Sequence, residues 1–290
     1  MILSSPIVHH PLSFHFGPLE LTGFGIAVLM AFLIAQVTSE RELARRGHDR
    51  ESAAISDVIF AAVFGTLLGA KLYYVVVITH NIADLFNRSG FVFWGGFMGA
   101  VALCAITIRY KKLSFVRFAD VGGIAIAAGY SIGRTGCWAV GDDYGKPWNG
   151  ILSVAFPNGS PPSTAADMAA IFHVPVAAGV NPATVLSVYP TQIFEVAMGF
   201  IMFAILWRIR DHKHAEGWLF GAYCVLAGVE RFIVEFFRAK DDRFGFALGL
   251  STAQLIAIAI VVVGAAIMYG RRNTSPNSPG IYGRAASAAA

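Results

Sequence analysis

The stretch FADVGGIAIAAGYSIGRTGCWAVGDDYG, residues 118–145, decides how this chain must fold. Residues 118–138 carry no charged residue apart from Asp120 and Arg134. A helix over them is long enough to cross a bilayer, because about 20 residues rising 1.5 Å each match a hydrocarbon core of roughly 30 Å. The segment then closes in an arginine, a cysteine, two aspartates and several glycines, where lipid-facing sequence should simply be leaving the membrane. Entering at Phe118, the helix carries Arg134 about 24 Å inward, to the far interface. An ionisable group at that depth is expensive and asks for a function.

The rest of the chain agrees with a membrane setting. Of 290 residues, 56% are hydrophobic and only 14% charged, with a mean hydropathy of +0.61; soluble domains carry roughly a quarter charged residues. The net charge of +4 argues for no nucleic-acid partner. Cys104, Cys137 and Cys224 lie in separate apolar segments, with neither metal-type spacing nor a disulfide framework. The N-terminus, MILSSPIVHHPLSFHFG, lacks a basic n-region and an A-x-A site and reads as a retained arm.

Seven segments are long and apolar enough to span: 18–37, 57–79, 91–109, 118–138, 190–208, 216–238 and 249–269. The expected fold class is an all-α polytopic membrane protein with seven transmembrane helices. Basic residues mark alternate connections: Arg41, Arg45, Arg46 and Arg50; Arg109, Lys111, Lys112 and Arg117; Arg208, Arg210 and Lys213; Arg271 and Arg272. By the positive-inside rule these are cytoplasmic, with the N-terminus periplasmic and the C-terminus cytoplasmic. The opposite side shows Arg88, Lys146 and, as a mild exception, Lys240 and Arg243. The expected organisation is a periplasmic arm (1–17), a membrane domain (18–270) with a periplasmic insertion or lid at 139–189 between helices four and five, and a disordered cytoplasmic tail (271–290).

Nearly all polar residues of the spans fall in the outer half. Lys71 lies about 21 Å into segment two. YPTQIFE opens segment five with Gln192 and Glu195, and LSTAQ opens segment seven. In ERFIVEFFR, Arg231, Glu235 and Arg238 are spaced i, i+4, i+7 on one helical face, with Glu230 about 100° away. Arg231–Glu235 alone could be a structural ion pair; adding Arg238 and Arg134 leaves an expected excess of positive charge. Planar guanidinium forks suit phosphate, so the expected ligand is an anionic group at headgroup depth, most simply a phospholipid. Asp57, Asp120 and Glu216 are accounted for as acids at helix N-termini. Gly65-x-x-x-Gly69 and Gly95-x-x-x-Gly99 have the spacing of close helix packing, Trp94 that of an aromatic belt. Cys137 reads as a small buried hydrophobe before a nucleophile.

These motifs resemble, in order and over about residues 18–270, those of the prolipoprotein diacylglyceryl transferases. GYSIGRTGCWAVGDDYGKP is similar to the family's Gly-Arg-x-Gly signature, and DVIFAAVFGTLLGAKLYYV, FVFWGGFMGA, YPTQIFE, RFIVEFFR and LSTAQL match its other motifs. The resemblance implies transfer of the diacylglyceryl group of phosphatidylglycerol to the thiol of a prolipoprotein lipobox cysteine in the bacterial inner membrane, at the periplasmic leaflet. Glycerol phosphate would leave, with no metal or organic cofactor. It implies catalytic roles for Arg134, Asp142, Arg231 and Glu235. Arg134, Arg231, Arg238, Gly95, Gly96, Gly145 and Gln192 would hold the phosphatidylglycerol; the partners are that lipid and the prolipoprotein signal peptide.

Four positions depart from the family pattern: Trp94 for a His, Phe24 for a Tyr, Cys137 for an Asn and Tyr189 for a His. Two usual proton acceptors are thereby lost, and a free thiol of pKa near 8.5 is only a few per cent thiolate at neutral pH. Asp142 or Glu235 could take the proton. A non-catalytic phospholipid-binding paralogue and a small-anion transporter stand as alternatives, the latter without the internal repeats transporters usually show.

Overall fold

The computed structural model describes residues 7–17, 19–86, 90–239, 243–244 and 249–274, with backbone only at 16, 19–20 and 243–244. Arg88, Lys240, the side chain of Arg243, the first residues of the arm and tail residues 275–290 lie outside the described residues.

Each expected segment becomes a helix. They are α1 (Gly23–Arg45), α3 (Ile55–Tyr73, continued by a π-helical turn Tyr74–Thr79), α4 (Phe93–Tyr110), α5 (Phe115–Val140), α7 (Thr191–Ile209), α8 (Trp218–Val234) and α9 (Thr252–Gly270). Short helices α2 (Asp49–Ala53) and α6 (Ala165–Ala170) lie in connections. Among the described residues, six of the seven long helices, all but α8, are long and apolar enough to cross a membrane. α8 has 17 residues, about 26 Å of rise, and carries Glu230 and Arg231 near its end at Val234, before a turn. The protein is thus a mostly helical, multi-pass membrane protein. Its large exposed apolar side chains, such as Phe60, Leu67, Phe97, Val101 and Val262, lie along these helices, as lipid contact requires.

The largest boundary difference is at α1, expected to end at 37. TSERELAR contains good helix formers and no breaker before Gly47, which takes φ +74°. Hydropathy marks where lipid ends, and the helix continues past that point.

α5 is the hub. Of its apolar stretch 56% is buried, against 17–28% in the other five candidate spans. α1, α7 and α8 pack on it, and α9 packs on α8. Without a hydrophobic drive between helices in lipid, close van der Waals packing must hold them together, and small residues permit it. A Cβ at Gly136 would lie 2.8 Å from Ala27 Cβ, and one at Gly123 2.9 Å from Tyr223 Cβ. α3 and α4 pair by the same means: Gly65 and Gly69 face the backbone of Gly95 and Gly99 so closely that no side chain fits. This hairpin meets the remaining helices only thinly, chiefly through α1, α2 and α5.

At the basic end of the bundle, buried Glu42 accepts from Arg45 Nε and Nη2 (2.9 and 2.8 Å) and Arg46 Nε (2.7 Å), and Arg45 reaches Asp211 (2.7 Å). The three acids assigned to helix starts act across helices. Asp57 pairs with Lys111 (2.6 Å), and Glu216 accepts from Arg117 (2.9 Å). Asp120, fully buried, accepts from the backbone N–H of Gly217 (2.6 Å) and Phe220 (2.8 Å). It therefore caps α8, whose own N-cap, Gly217, has no side chain to do so. Charge-assisted hydrogen bonds of this kind are each worth about 1.5–3 kcal/mol. Asp120→Ala is expected to lower stability by about 3 kcal/mol, read as the thermal midpoint in detergent. An unchanged midpoint would show that the cap contributes nothing.

At the other end, residues 139–189 fold into an ordered head. Strand β4 (Val154–Ala155) pairs in parallel with β1 (Ile7–Val8) of the N-terminal arm and antiparallel with β5 (Ser187–Val188). Arm and insertion share one small sheet over a core of Tyr144, Phe156, Met168 and Val188. A hairpin, β2 (Ser13–Phe16) with β3 (Leu19–Thr22), leads into α1, and β6 (Arg243–Phe244) pairs with β7 (Leu250–Ser251) before α9.

Candidate active site

Where α5 leaves the bundle, Gly141 takes φ +70° and closes the helix with its N–H on the Cys137 carbonyl (3.0 Å). The chain then turns through Asp142, Asp143, Tyr144 and Gly145 across the ends of α7 and α8. Neighbours hold the backbone of this turn. Gln192 Nε2 donates to the Asp142 carbonyl (2.5 Å), Thr191 Oγ1 to the Asp143 carbonyl (2.7 Å), and Gly145 N–H to the Tyr189 carbonyl (2.8 Å). A Cβ on Gly145 would run into the Phe237 carbonyl, so glycine here is a matter of close approach.

Arg134 is the centre of the site. Its Nη1 donates to Asp143 Oδ2 (2.7 Å) and its Nη2 to Glu195 Oε1 (2.7 Å). Arg238 Nη2 reaches the other oxygen of Asp143, Oδ1 (2.7 Å), and its Nη1 lies 3.7 Å from Glu195. Arg231 Nη2 lies 2.6 Å from Glu235 Oε2, and Glu235 Oε1 accepts from Ser251 Oγ (3.0 Å). Ser251 also forms a capping box with Gln254 at the start of α9. Glu230 returns to the network by donation from Tyr130 Oη (3.0 Å), which lies 3.5 Å from Arg134 Nε.

The structure thus brings together Arg134, Arg231, Glu235 and Arg238. The expected excess of positive charge is not there. Asp142, Asp143, Glu195, Glu230 and Glu235 outnumber the three arginines, because acids on the turn after α5, on α7 and at the end of α8 gather around them. Among the described residues, the buried Arg231 Nη1 has no hydrogen-bond partner. The carboxylates on Arg134 are Asp143 and Glu195, whereas Asp142 lies beside Cys137 and leaves its buried Oδ1 without a partner. Burial, with the charge of Asp143 beside it, pushes the Asp142 carboxyl up to about 6. Against the same push from burial, Arg238 and Arg134 hold Asp143 at about 2. Two adjacent acids are thereby separated in role.

Gly95 and Gly96 stand apart from the arginines. Gly95 packs on Gly69 and Gly96 on Thr66 within the α3–α4 pair. Gln192 is fully buried and positions the Asp142 backbone. Lys71, expected near the cluster, donates to the Asp84 carbonyl (3.4 Å) and lies over the Phe91 ring. Trp94 is half exposed beside Phe93 and Phe97, and Tyr189 stacks on Trp148 with centroids 4.4 Å apart. Among the described residues, Cys137, Asp142 and Asp143 are the one trio placed as a metal site would be. Both Asp143 oxygens are already engaged by guanidiniums.

Glu195 and Asp143 are the residues that sequence reasoning did not assign. Glu195 had a readable signal, being one helical turn from Gln192 at the mouth of a span. Choosing between the acids of Asp142-Asp143 had none.

A multi-pass membrane protein with a buried arginine–carboxylate network at one end of its helices is the class that this fold and site define. The chain belongs to the prolipoprotein diacylglyceryl transferase family, whose model matches residues 11–270. It is similar to the phosphatidylglycerol–prolipoprotein diacylglyceryl transferase of Geobacter sulfurreducens, at 27% identity over 92% of this chain and 97% of that one. Those of Xanthomonas oryzae (29%, covering 89% and 90%) and Paraburkholderia xenovorans (28%, covering 92% and 95%) are comparably similar. The chain is accordingly a diacylglyceryl transferase of lipoprotein biosynthesis.

Proposed function

We propose that the Arg134–Arg231–Arg238 cluster is where phosphatidylglycerol gives up its diacylglyceryl group to the lipobox cysteine of a prolipoprotein. In this reading all seven long helices span the inner membrane. The basic end faces the cytoplasm under the positive-inside rule, and the site with its head faces the periplasm. The observation that carries it is the open donor of Arg231, Nη1, beside two further guanidiniums.

The chemistry needs that arrangement. The cysteine S–H loses its proton, an S–C bond forms to the glyceryl carbon, and the C–O bond to phosphate breaks. Glycerol phosphate leaves with a second negative charge. Donors fixed where that charge develops lower the barrier, more so where water is excluded. Glu235, held by Ser251, orients Arg231.

Asp142 is the proton acceptor in this scheme, with a free oxygen and a carboxyl near 6. Below that pH it is protonated and cannot accept. Transfer is therefore expected to rise with pH along a limb of apparent pKa about 6 and to level above it. Asp142→Asn should lower kcat by about 10²-fold or more and remove the limb. The test is the mass gain of a lipobox peptide in phosphatidylglycerol nanodiscs; an unchanged acidic limb in Asp142→Asn would assign the base elsewhere.

A further inference from the structure

The two carboxylates that bridge Arg134 and Arg238 differ in how they are held. Glu195 is fully buried in the first turns of α7. Asp143 sits on the turn after α5, its side chain 39% exposed and its backbone at φ +56°, a conformation that Asp and Asn tolerate better than most residues. Its two oxygens go one to each arginine, both at 2.7 Å, as two non-bridging oxygens of a phosphate would. Thr191 anchors its carbonyl, so rotation of the side chain alone would release both arginines without moving the turn.

We propose that Asp143 is a resident anion in the phosphate subsite, which the incoming phosphodiester displaces from between Arg134 and Arg238. The inference rests on the reading that these arginines hold the phosphate. It is supported by charge: Asp143, Glu195 and Glu235 already pair with the three arginines, so an added anion reaches both Arg134 and Arg238 only if a carboxylate withdraws from them. Of those three, Asp143 combines solvent access with contacts to two guanidiniums. It sets how tightly headgroup and product bind, and by leaving on arrival of the lipid it keeps the arginines from standing unpaired in the empty site, where buried unpaired charge is costly.

The experiment measures binding of glycerol phosphate to the full chain in nanodiscs of zwitterionic lipid, and KM for phosphatidylglycerol. Asp143→Asn keeps shape and backbone preference while removing the charge; Asp143→Gly fits the positive φ without a side chain. Both are expected to tighten glycerol phosphate roughly three- to tenfold and to lower KM alike. Asp143→Glu should not, because the competing charge remains. Weaker or unchanged binding in both Asn and Gly variants overturns the inference. Arg134→Gln separates the two levels: if it weakens glycerol phosphate while the Asp143 variants do not tighten it, only the resident anion fails. If no variant alters binding, the phosphate lies elsewhere and both readings fall.

Discussion

Arg134→Ala is expected to lower diacylglyceryl transfer by about 10³-fold or more, with the protein still inserted and helical. Removing one preorganised donor from a developing oxyanion typically costs 10²–10³-fold. Arg134 is in addition the one residue contacting Asp143, Glu195 and, more distantly, Tyr130. Arg134→Lys should rescue poorly. A lysine offers one point charge, whereas Nη1 and Nη2 serve two carboxylates on different segments at once. The measurement is the lipobox-peptide mass gain at saturating phosphatidylglycerol, with circular dichroism in detergent to report the fold. Transfer at the normal rate in Arg134→Ala would place the phosphate away from this residue.

Glu195→Ala is expected to cost about 3–5 kcal/mol of stability, the largest loss of any single change at the site. Glu195 is fully buried, and its Oε1 lies 2.7 Å from Arg134 and 3.7 Å from Arg238. Without it, two largely buried guanidiniums would keep Asp143 and, for Arg238, only a 3.9 Å approach to Glu235, and underpaired arginine in the membrane is expensive. Glu195→Gln should retain part of the loss, since an amide oxygen still accepts from Arg134 without matching its charge. Thermal unfolding in detergent reads both. A Glu195→Ala midpoint equal to that of the parent would mean that the arginines find other partners.

The helices were legible because membrane spans are written in one dimension. An apolar run of the right length must be a helix, since only a helix satisfies its own backbone in lipid. The arginines of the site were legible for the same reason: charge stands out against lipid-facing sequence. Local hydropathy could not say where helices end beyond the bilayer, as α1 shows by running to Arg45. Nor could it say that residues 139–189 fold with the arm, because the pairing of Ile7–Val8 with Val154–Ala155 joins segments far apart in the chain.

The partner of each charge was the least legible feature. Asp120 and Glu216 look, one residue at a time, like acids at their own helix starts; Asp120 instead caps α8 and Glu216 holds Arg117. Gly95 and Gly96 lie in the first turn of α4, where the resemblance places the lipid, yet they serve the contact with α3.

The sequence by itself determined that this chain is a multi-helix membrane protein, which end of the helices gathers charge, and which motifs tie it to the diacylglyceryl transferases. Each of these depends on composition and spacing along one segment. Only the tertiary structure decided that Asp143 and Glu195 neutralise Arg134, that Asp142 is left to face Cys137, and that Arg231 keeps a donor free. Electrostatic pairing depends on distance in space, and helix packing brings residues 134, 143, 195 and 238 within hydrogen-bonding reach across a hundred positions of sequence.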